Sequence, residues 1–250
     1  MQLNAEFVTS LEQVDAAEWE RLCGTDYPFL RYDFLLGLEQ SGCTTAESGW
    51  QPCHLILRDG ETAVAALPLY LKSHSYGEYV FDWSWSQAWQ QNGLQYYPKL
   101  VSAIPFTPAT GPRLCHSDDL SSEQAWDMAT RALEQFARQQ EISSWHLLFP
   151  DQSTSDALLV DGFHQRRATQ FHWFNEDYRD FDHFLAGFSS RKRKSLRRER
   201  RRVEEQGITL NGLIPKAKPE ALSEISWLRP HYVDQHGGMI GVVQCFVIEI

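Results

Sequence analysis

Two regions of this chain gather side chains able to do chemistry. Leu71–Trp85, LKSHSYGEYVFDWSW, brings Lys72, His74, Tyr76, Glu78 and Asp82 into close succession. A Lys–His–Glu group can move protons near neutrality, because histidine titrates around pH 6.5. His74 and Glu78 are therefore the candidates for a catalytic general base. The same run also reads as the polar edge of a strand with ordinary turn residues. Further on, Tyr96, Tyr97 and Lys99 lead into Pro105, Phe106, Thr107, Gly111 and Arg113. A stiff Pro/Gly loop beside Lys and Arg can hold a carboxylate or phosphate, with Arg doing so bidentately. It can equally be a buried aromatic loop with surface cations. Lys72, Tyr76, Tyr97, Lys99 and Arg113 form the candidate substrate-binding set.

The second region is cationic. Residues 191–202, RKRKSLRRERRR, hold nine basic side chains and one acid, Glu199, leaving 14 basic and 32 acidic residues elsewhere. Leu196 and Val203 supply only a thin apolar seam. Arg191, Lys192, Arg193 and Lys194 stand at the N-terminal, positive end of the expected helix dipole, and Glu204 and Glu205 at the negative end. Each such charge is unfavourable by about 0.3–1 kcal/mol. A bound anion would relieve it, and helix-start N–H groups bind phosphate well. Arg191, Lys192, Arg193, Lys194 and Arg197 are the candidate contacts to a phosphate-bearing cofactor or tRNA backbone. The competing reading is a solvated helix against an acidic body.

Other signals are weaker. His146 in WHLLF and His172 in QFHWF read as core histidines, and His164, Arg166 and Arg167 as surface residues. The five cysteines are odd in number and never in C-x-x-C spacing, so neither a disulfide framework nor a metal site is expected. The G-x-S-x-G elbow, Walker A loop, G-x-G-x-x-G fingerprint, H-E-x-x-H motif and Q/R-x-x-G-x-G/A loop are absent.

The elements that must position these residues follow from periodicity. With 250 residues, 42% of them hydrophobic, the chain can bury a substantial core. The formal net charge of −10 argues against a general nucleic-acid coat. No apolar run suits a membrane helix, and MQLNAEF lacks the marks of a secretory signal, so a cytoplasmic location is expected. Gln2–Val8 reads as a strand, and Ser10 as the cap of a helix ending near Gly24. A second helix covers Phe29–Gln40, and Gly49–Pro52 reads as a loop. Cys53–Leu57 and Thr62–Leu71 pair around the Asp59-Gly60 turn, with Pro68 at a bulge or edge. The alternation in Tyr76–Trp85 predicts a third strand, and Leu100–Ile104 a fourth. Asp118–Gln140 and Ser153–Val160 read as helices, Trp145–Phe149 and Gln165–Phe174 as strands. Asp180–Phe188 is a short helix, and Ser189 or Ser190 caps the basic helix, which Gly207 ends. Ile208–Leu213 reads as the start of a further strand.

The fold class expected is α/β (α+β): a mixed, largely antiparallel sheet flanked by helices over 1–175. Connecting helices and the start of a second domain follow over 176–213, with an atypical tail over 214–250. Oligomeric state is open.

With these residues in view, the chain resembles the FemAB-like predicted N-acyltransferases, a branch of the GNAT superfamily. The carrying segments are FLRYDFLLGLEQSGC, GWQPCHLILRDG, LPLYLKSHSYGEYVFDWSW and YYPKLVSAIPFTPATGPRL. They continue with HLLFP, QFHWFN and YRDFDHFLAGFSSRKRKSLRRERRRVEEQGI, and together cover most of residues 29–208. The resemblance implies two GNAT-like domains with the acceptor site between them. It implies an N-acyltransferase moving an acyl or aminoacyl group from acyl-CoA or an aminoacyl-tRNA to a small-molecule or peptide amine. It implies no covalently bound cofactor. The alternatives are a non-enzymatic tRNA- or RNA-binding module and an inactive fragment of the transferase. The sequence after Leu213 departs from the family pattern, as a truncated or frame-changed chain would, which would leave VVQCFVIEI as an unpaired strand.

Overall fold

The structure, a computed structural model, describes residues 3–160, 163–170, 176–205 and 241–249. The chain divides into two compact units, Met1–Gln170 with Val242–Ile250, and Phe171–Gly241.

The first unit is a mixed α/β assembly. Strand β1 (Leu3–Val8) is followed by a 3-10 turn at Leu11–Gln13, then α1 (Ala16–Cys23) and α2 (Tyr32–Gln40). Next come β2 (Trp50–Pro52), β3 (His54–Asp59), β4 (Thr62–Leu67) and β5 (Tyr70–Lys72). Helix α3 (Trp83–Gln91) precedes β6 (Lys99–Ser102) and β7 (Cys115–His116). Then follow α4 (Ser122–Gln139), β8 (Ser144–Leu148), α5 (Gln152–Val160) and β9 (His164–Gln170), and the unit closes on β10 (Gly241–Glu249). One sheet has the order β1-β3-β4-β7, the other β2-β5-β6-β8-β10-β9. The described pairings are antiparallel except β6–β8, which run parallel with α4 as the crossover.

The Asp59-Gly60 hairpin is longer than its two sheets taken singly. Its arms are β3 and β4 in the first sheet and continue as β2 and β5 in the second. The change occurs at Cys53 on one arm and Pro68-Leu69 on the other, where Cys53 N–H donates to the Leu69 carbonyl (2.9 Å). Pro68 has no N–H for a ladder, so a sheet ends there readily. Gly49–Pro52, read as a loop, thus contains a strand. The apolar runs HLIL and TAVAAL do not alternate because this sheet is covered on both faces. Leu55, Leu57 and Leu67 pack with Trp126, Ala129 and Leu133 of α4, and Ile56 and Ala66 pack with Trp19, Leu22 and Leu35.

Caps explain the helix limits. Ser10 caps only the 3-10 turn, and Asp15 starts α1 by accepting from Glu18 N–H, so the expected single helix is two elements. Gly24 ends α1 at φ +65°, a left-handed conformation that glycine reaches without a Cβ clash. Ser121 and Gln124 close a capping box on α4.

The tail also differs from expectation. β10 pairs with β8 over Cys245–Glu249, giving this stretch a ladder partner. His172, Gly207 and residues 208–213 lie outside the described residues.

In the second unit, Asp180 caps α6 (Phe181–Ala186), and α7 (Ser190–Glu205) is the basic helix. Arg193 donates to the carbonyls of Phe188 (2.6 Å) and Ala186 (3.4 Å), meeting C-terminal acceptors of α6 that lack helical partners.

One buried polar knot ties the helical layer to the first sheet. Glu39 accepts from Ser10 Oγ (2.8 Å) and Leu11 N–H (3.1 Å), and it meets His54 Nε2 at 3.0 Å. His54 Nδ1 accepts from Leu69 N–H (3.2 Å), so Nε2 carries the proton toward Glu39. Burial raises the Glu39 pKa, but the bonds from His54 and Ser10 outweigh it and hold the carboxyl below its ordinary 4.5. Glu39→Ala should therefore lower unfolding free energy by about 3 kcal/mol at neutral pH, since it strands a buried imidazole. A lowered carboxyl pKa stabilises above the ordinary value and loses that contribution as pH falls through the lowered one. Urea unfolding at pH 7 and pH 3 should show the two proteins converging in acid; an equal gap at both pH values would contradict this.

Candidate functional site

Lys99, at the start of β6, is fully buried. Its ammonium donates to Ser75 Oγ (2.9 Å), Glu78 Oε2 (2.9 Å) and Asp82 Oδ2 (2.6 Å). Those contacts use its three hydrogens. Asp82 Oδ2 also accepts from Tyr96 OH (2.6 Å), and Ser75 Oγ lies 2.7 Å from Tyr97 OH. The loop 73–82 is thus pinned by its polar members onto a strand that follows it in sequence.

This corrects the expected strand over Tyr76–Trp85. Residues 73–82 form a loop, and α3 starts at Trp83. The alternation is real, but its polarity is inverted. Glu78 and Asp82 are each 2% exposed, whereas Tyr76, Tyr79 and Phe81 are 66%, 51% and 69% exposed. A buried cation demands carboxylate partners more strongly than aromatic rings demand cover.

The charges shift one another. Burial raises the Asp82 pKa, yet the Lys99 charge and hydrogen bonds outweigh it and hold the carboxyl at about 2. Burial also raises Glu78, and Lys99 offsets this only in part, so its pKa stays above the ordinary carboxylate value. Glu78 Oε1 is buried without a hydrogen-bond partner. Lys72 is fully buried; its ammonium donates to the Tyr76 carbonyl (3.2 Å) and lies 3.7 Å from the Trp50 ring centroid. Burial lowers its pKa to about 7. His74 is half-buried, and burial and then the Lys72 charge lower its pKa, which favours the neutral ring. His74 Nδ1 accepts from Tyr76 N–H at 3.3 Å, a long and weak bond.

The structure therefore brings Lys72, His74, Tyr76, Glu78, Tyr97 and Lys99 together from two separate sequence regions. It places Arg113 elsewhere. Its guanidinium is buried and donates to the carbonyls of Leu148, Gly111, Pro112 and Ala109 at 2.6–3.1 Å. All its nitrogens are engaged, so it clamps its own loop and offers no fork to an anion. Sequence reasoning missed Trp50 and Ser75, and named Tyr96 and Asp82 without assigning them a role. Their signal lies in the contacts across the fold and has no local periodicity. His146 is a core residue: burial and the Lys99 charge push its pKa well below 6.5, and Nε2 lies 3.0 Å from Ser144 Oγ.

The basic helix α7 is exposed along much of its length. Arg197 pairs with Asp182 (2.8 Å), and Arg200 lies 4.5 Å from the Phe181 ring centroid. Arg191, Lys192 and Lys194 are exposed and form no ion pair among the described residues. Within the first unit, a groove of about 710 Å³ lies between β1 and α4, lined by Phe7, Leu57, Met128 and Phe136. Among the described residues no group of three His, Cys, Asp or Glu side chains could hold a metal, and no helix is long and apolar enough to cross a membrane.

The sequence matches the FemAB-like family, described as peptidoglycan biosynthesis/recognition, over residues 10–235. The chain belongs to that family. No curated protein matches it significantly. Among solved structures, it is similar to an N-acyl amino acid synthase from uncultured soil microbes, with a TM-score of 0.40 and 14% identity over 68% of this chain and 82% of that one. It is also similar to a Drosophila melanogaster polyamine N-acetyltransferase, at TM-score 0.46 and 9% identity over 100% of both chains. An agmatine N-acetyltransferase gives 0.44 and 8%, again over 100% of both.

The lowered Lys72 pKa has a measurable sign. Between pH 7 and its ordinary 10.5, the unfolded chain binds a proton that the folded chain does not. Stability therefore rises with pH across that window. Lys72→Met removes this contribution, so the stability of the wild type should rise relative to the variant from pH 7 to pH 10 in urea unfolding; parallel curves would refute the assignment. Lys99→Met leaves two buried carboxylates without their cation and should lower stability by about 3–5 kcal/mol. That variant should recover as acid protonates them.

Proposed function

We propose that this chain is an N-acyltransferase. It moves an acyl or aminoacyl group from a phosphate-bearing carrier, acyl-CoA or aminoacyl-tRNA, to an amine on a small molecule or peptide. Membership of a family described by peptidoglycan biosynthesis/recognition supports a group-transfer role. The structural observation that carries the reading is the loop folded over Lys99, which sets two nitrogen bases side by side, Lys72 enclosed and His74 half-buried. Lys72 is held at about 7, and His74 is lowered beside it. Transfer to an amine needs such a base, because only the deprotonated amine attacks the carrier's carbonyl carbon.

In this scheme His74 is the base. It is half-buried, whereas Lys72 and Glu78 are enclosed. Its ring gives up the weak bond from Tyr76 N–H to take the proton of the attacking amine. The new C–N bond forms, the acyl C–S or C–O bond to the carrier breaks, and the leaving thiolate or alkoxide takes the proton from the His74 imidazolium. Lys72 donates to the Tyr76 carbonyl and so holds the backbone beside His74 in place. Arg191, Lys192 and Lys194 are the groups for carrier phosphates, since their charges lack intramolecular partners among the described residues.

The purified chain, given acetyl-CoA or charged tRNA and a panel of amines, should release free thiol or uncharged tRNA. His74→Gln should lower kcat by about 10²–10⁴-fold with a smaller effect on KM. Changing Arg191, Lys192 and Lys194 together to Ala should raise the KM for the carrier. No transfer from either carrier, with tRNA retained in filter binding and released steeply by salt, would favour an RNA-binding module instead.

A further inference from the structure

The segment that follows the Lys99 cluster has a composition unlike the rest of the chain. Between residues 75 and 98 the only charged side chains are Glu78 and Asp82, and both are buried. What this stretch presents to solvent is aromatic rings, amides and hydroxyls. Of the nine exposed large hydrophobic residues among those described, Tyr76, Tyr79, Phe81, Trp83, Trp85 and Leu94 lie here, and a seventh, Phe106, lies against Gly77. Tyr76 and Trp83 are in ring contact at 5.1 Å between centroids, so the loop and the first turn of α3 share one aromatic surface. Helix α3, WSWSQAWQQ, has no buried residue at all. Exposed beside its tryptophans are Ser84, Gln87, Gln90, Gln91 and, just beyond, Asn92 and Gln95.

The backbone holds the display open. Tyr79, Phe81 and Phe106 have φ of 60°, 51° and 57°, a left-handed conformation unfavourable to bulky side chains. Gly77 supports it from below, since a Cβ there would meet Phe106 at 2.6 Å and Trp50 at 3.0 Å. Rings that gain nothing by burial are kept outward at a conformational cost, as in a preformed binding surface.

We propose that this face, Tyr76–Gln95 with Phe106, is a binding platform for an uncharged carbohydrate, a chain of pyranose rings. The face of an aromatic ring is the negative side of its quadrupole and attracts the weakly positive C–H groups on the flat side of a sugar. Glutamine and asparagine offer a donor and an acceptor on one amide, which suits hydroxyl groups that both donate and accept. The lack of exposed charge, on a chain of net charge −10, matches a ligand without charge. A lipid surface fits less well, because interfacial helices present Lys and Arg on their polar face. A protein partner shares the preference for aromatic rings and few charges, but interface cores also favour Arg and Met and are poor in Ser, whereas this face has exposed Ser84 and amides and no Arg or Met. The platform adjoins the proposed catalytic loop through Tyr76, yet binding to it requires no turnover, so this inference stands or falls apart from the transferase reading.

The test is tryptophan fluorescence and calorimetry of the full chain with chitotetraose and cellotetraose as probes. Saturable binding to at least one probe is expected, nearly unchanged between about 0.05 and 0.5 M salt, because no ion pair is formed. Trp83→Ala with Trp85→Ala should weaken it at least about tenfold while leaving the urea midpoint unchanged. Phe81→Asn gives a second readout that survives any failure of the double variant to fold. Asparagine tolerates φ 51° better than phenylalanine, so stability should hold or rise while affinity falls. No saturable binding to either sugar, or unchanged affinity in these variants, would overturn the proposal. So would Trp83- and Trp85-dependent attachment to phosphatidylcholine vesicles, or self-association, that the sugars do not compete away.

Discussion

A fully buried ammonium holds the chemistry of this protein in place. Lys99 cannot stay charged without water unless oxygen atoms surround it, and it takes them from Ser75, Glu78 and Asp82. Each lies on a segment with no regular ladder of its own. The loop is therefore shaped by the requirement to neutralise one strand residue. The outward aromatics and the first residue of α3 follow from that requirement, while burial lowers the Lys72 pKa, and burial with the Lys72 charge lowers that of His74. It also explains how Glu78 and Asp82, neighbours in one loop, sit on opposite sides of the ordinary carboxylate range. Asp82 Oδ2 takes hydrogen bonds from both Lys99 and Tyr96, whereas Glu78 Oε2 takes one, from Lys99; each carboxylate keeps its other oxygen buried without a partner.

The sheets supply the rigid frame. One hairpin crosses from the first sheet to the second at Cys53 and Pro68-Leu69, so the strand pair β2–β5 emerges beside β6 and delivers Lys72 next to Lys99. Trp50, Tyr70, Val80, Val101 and Phe149 fill the space beneath as a separate small core. Lys72 Nζ lies close above the Trp50 ring, and this aromatic contact partly offsets the loss of water. The clamp made by Arg113 fixes the adjoining Pro/Gly loop through backbone carbonyls, a structural role for a residue whose type suggests anion binding.

Charge is segregated along the chain. Helix α7 holds nine basic residues against one acid within 191–202, while the remaining chain is strongly acidic. Arg193 and Arg197 are engaged with α6 and its flanking residues, which anchors the helix within its own unit. Arg191 and Lys192 at its first turn are exposed, where dipole and side-chain charge act in the same sense on an anion.

Much of the frame was legible in the sequence. The Asp59-Gly60 turn, the amphipathic stripe of α4, the apolar run of β8 and the short α5 are local signals, set by nearest-neighbour sterics and periodic burial. The FemAB-like kinship was legible as well, since it rests on long segments read in order. The site was legible only as an inventory of side chains. Alternation in Tyr76–Trp85 looked like a strand because periodicity reports that successive residues face opposite ways, and says nothing of which way is in. That choice depended on Lys99, 17 to 24 residues away from its partners. By itself the sequence determined the kinship and those elements that local periodicity and turns specify; tertiary structure alone decided which charges were buried together, because desolvation of an ammonium is a property of the enclosure and not of the chain.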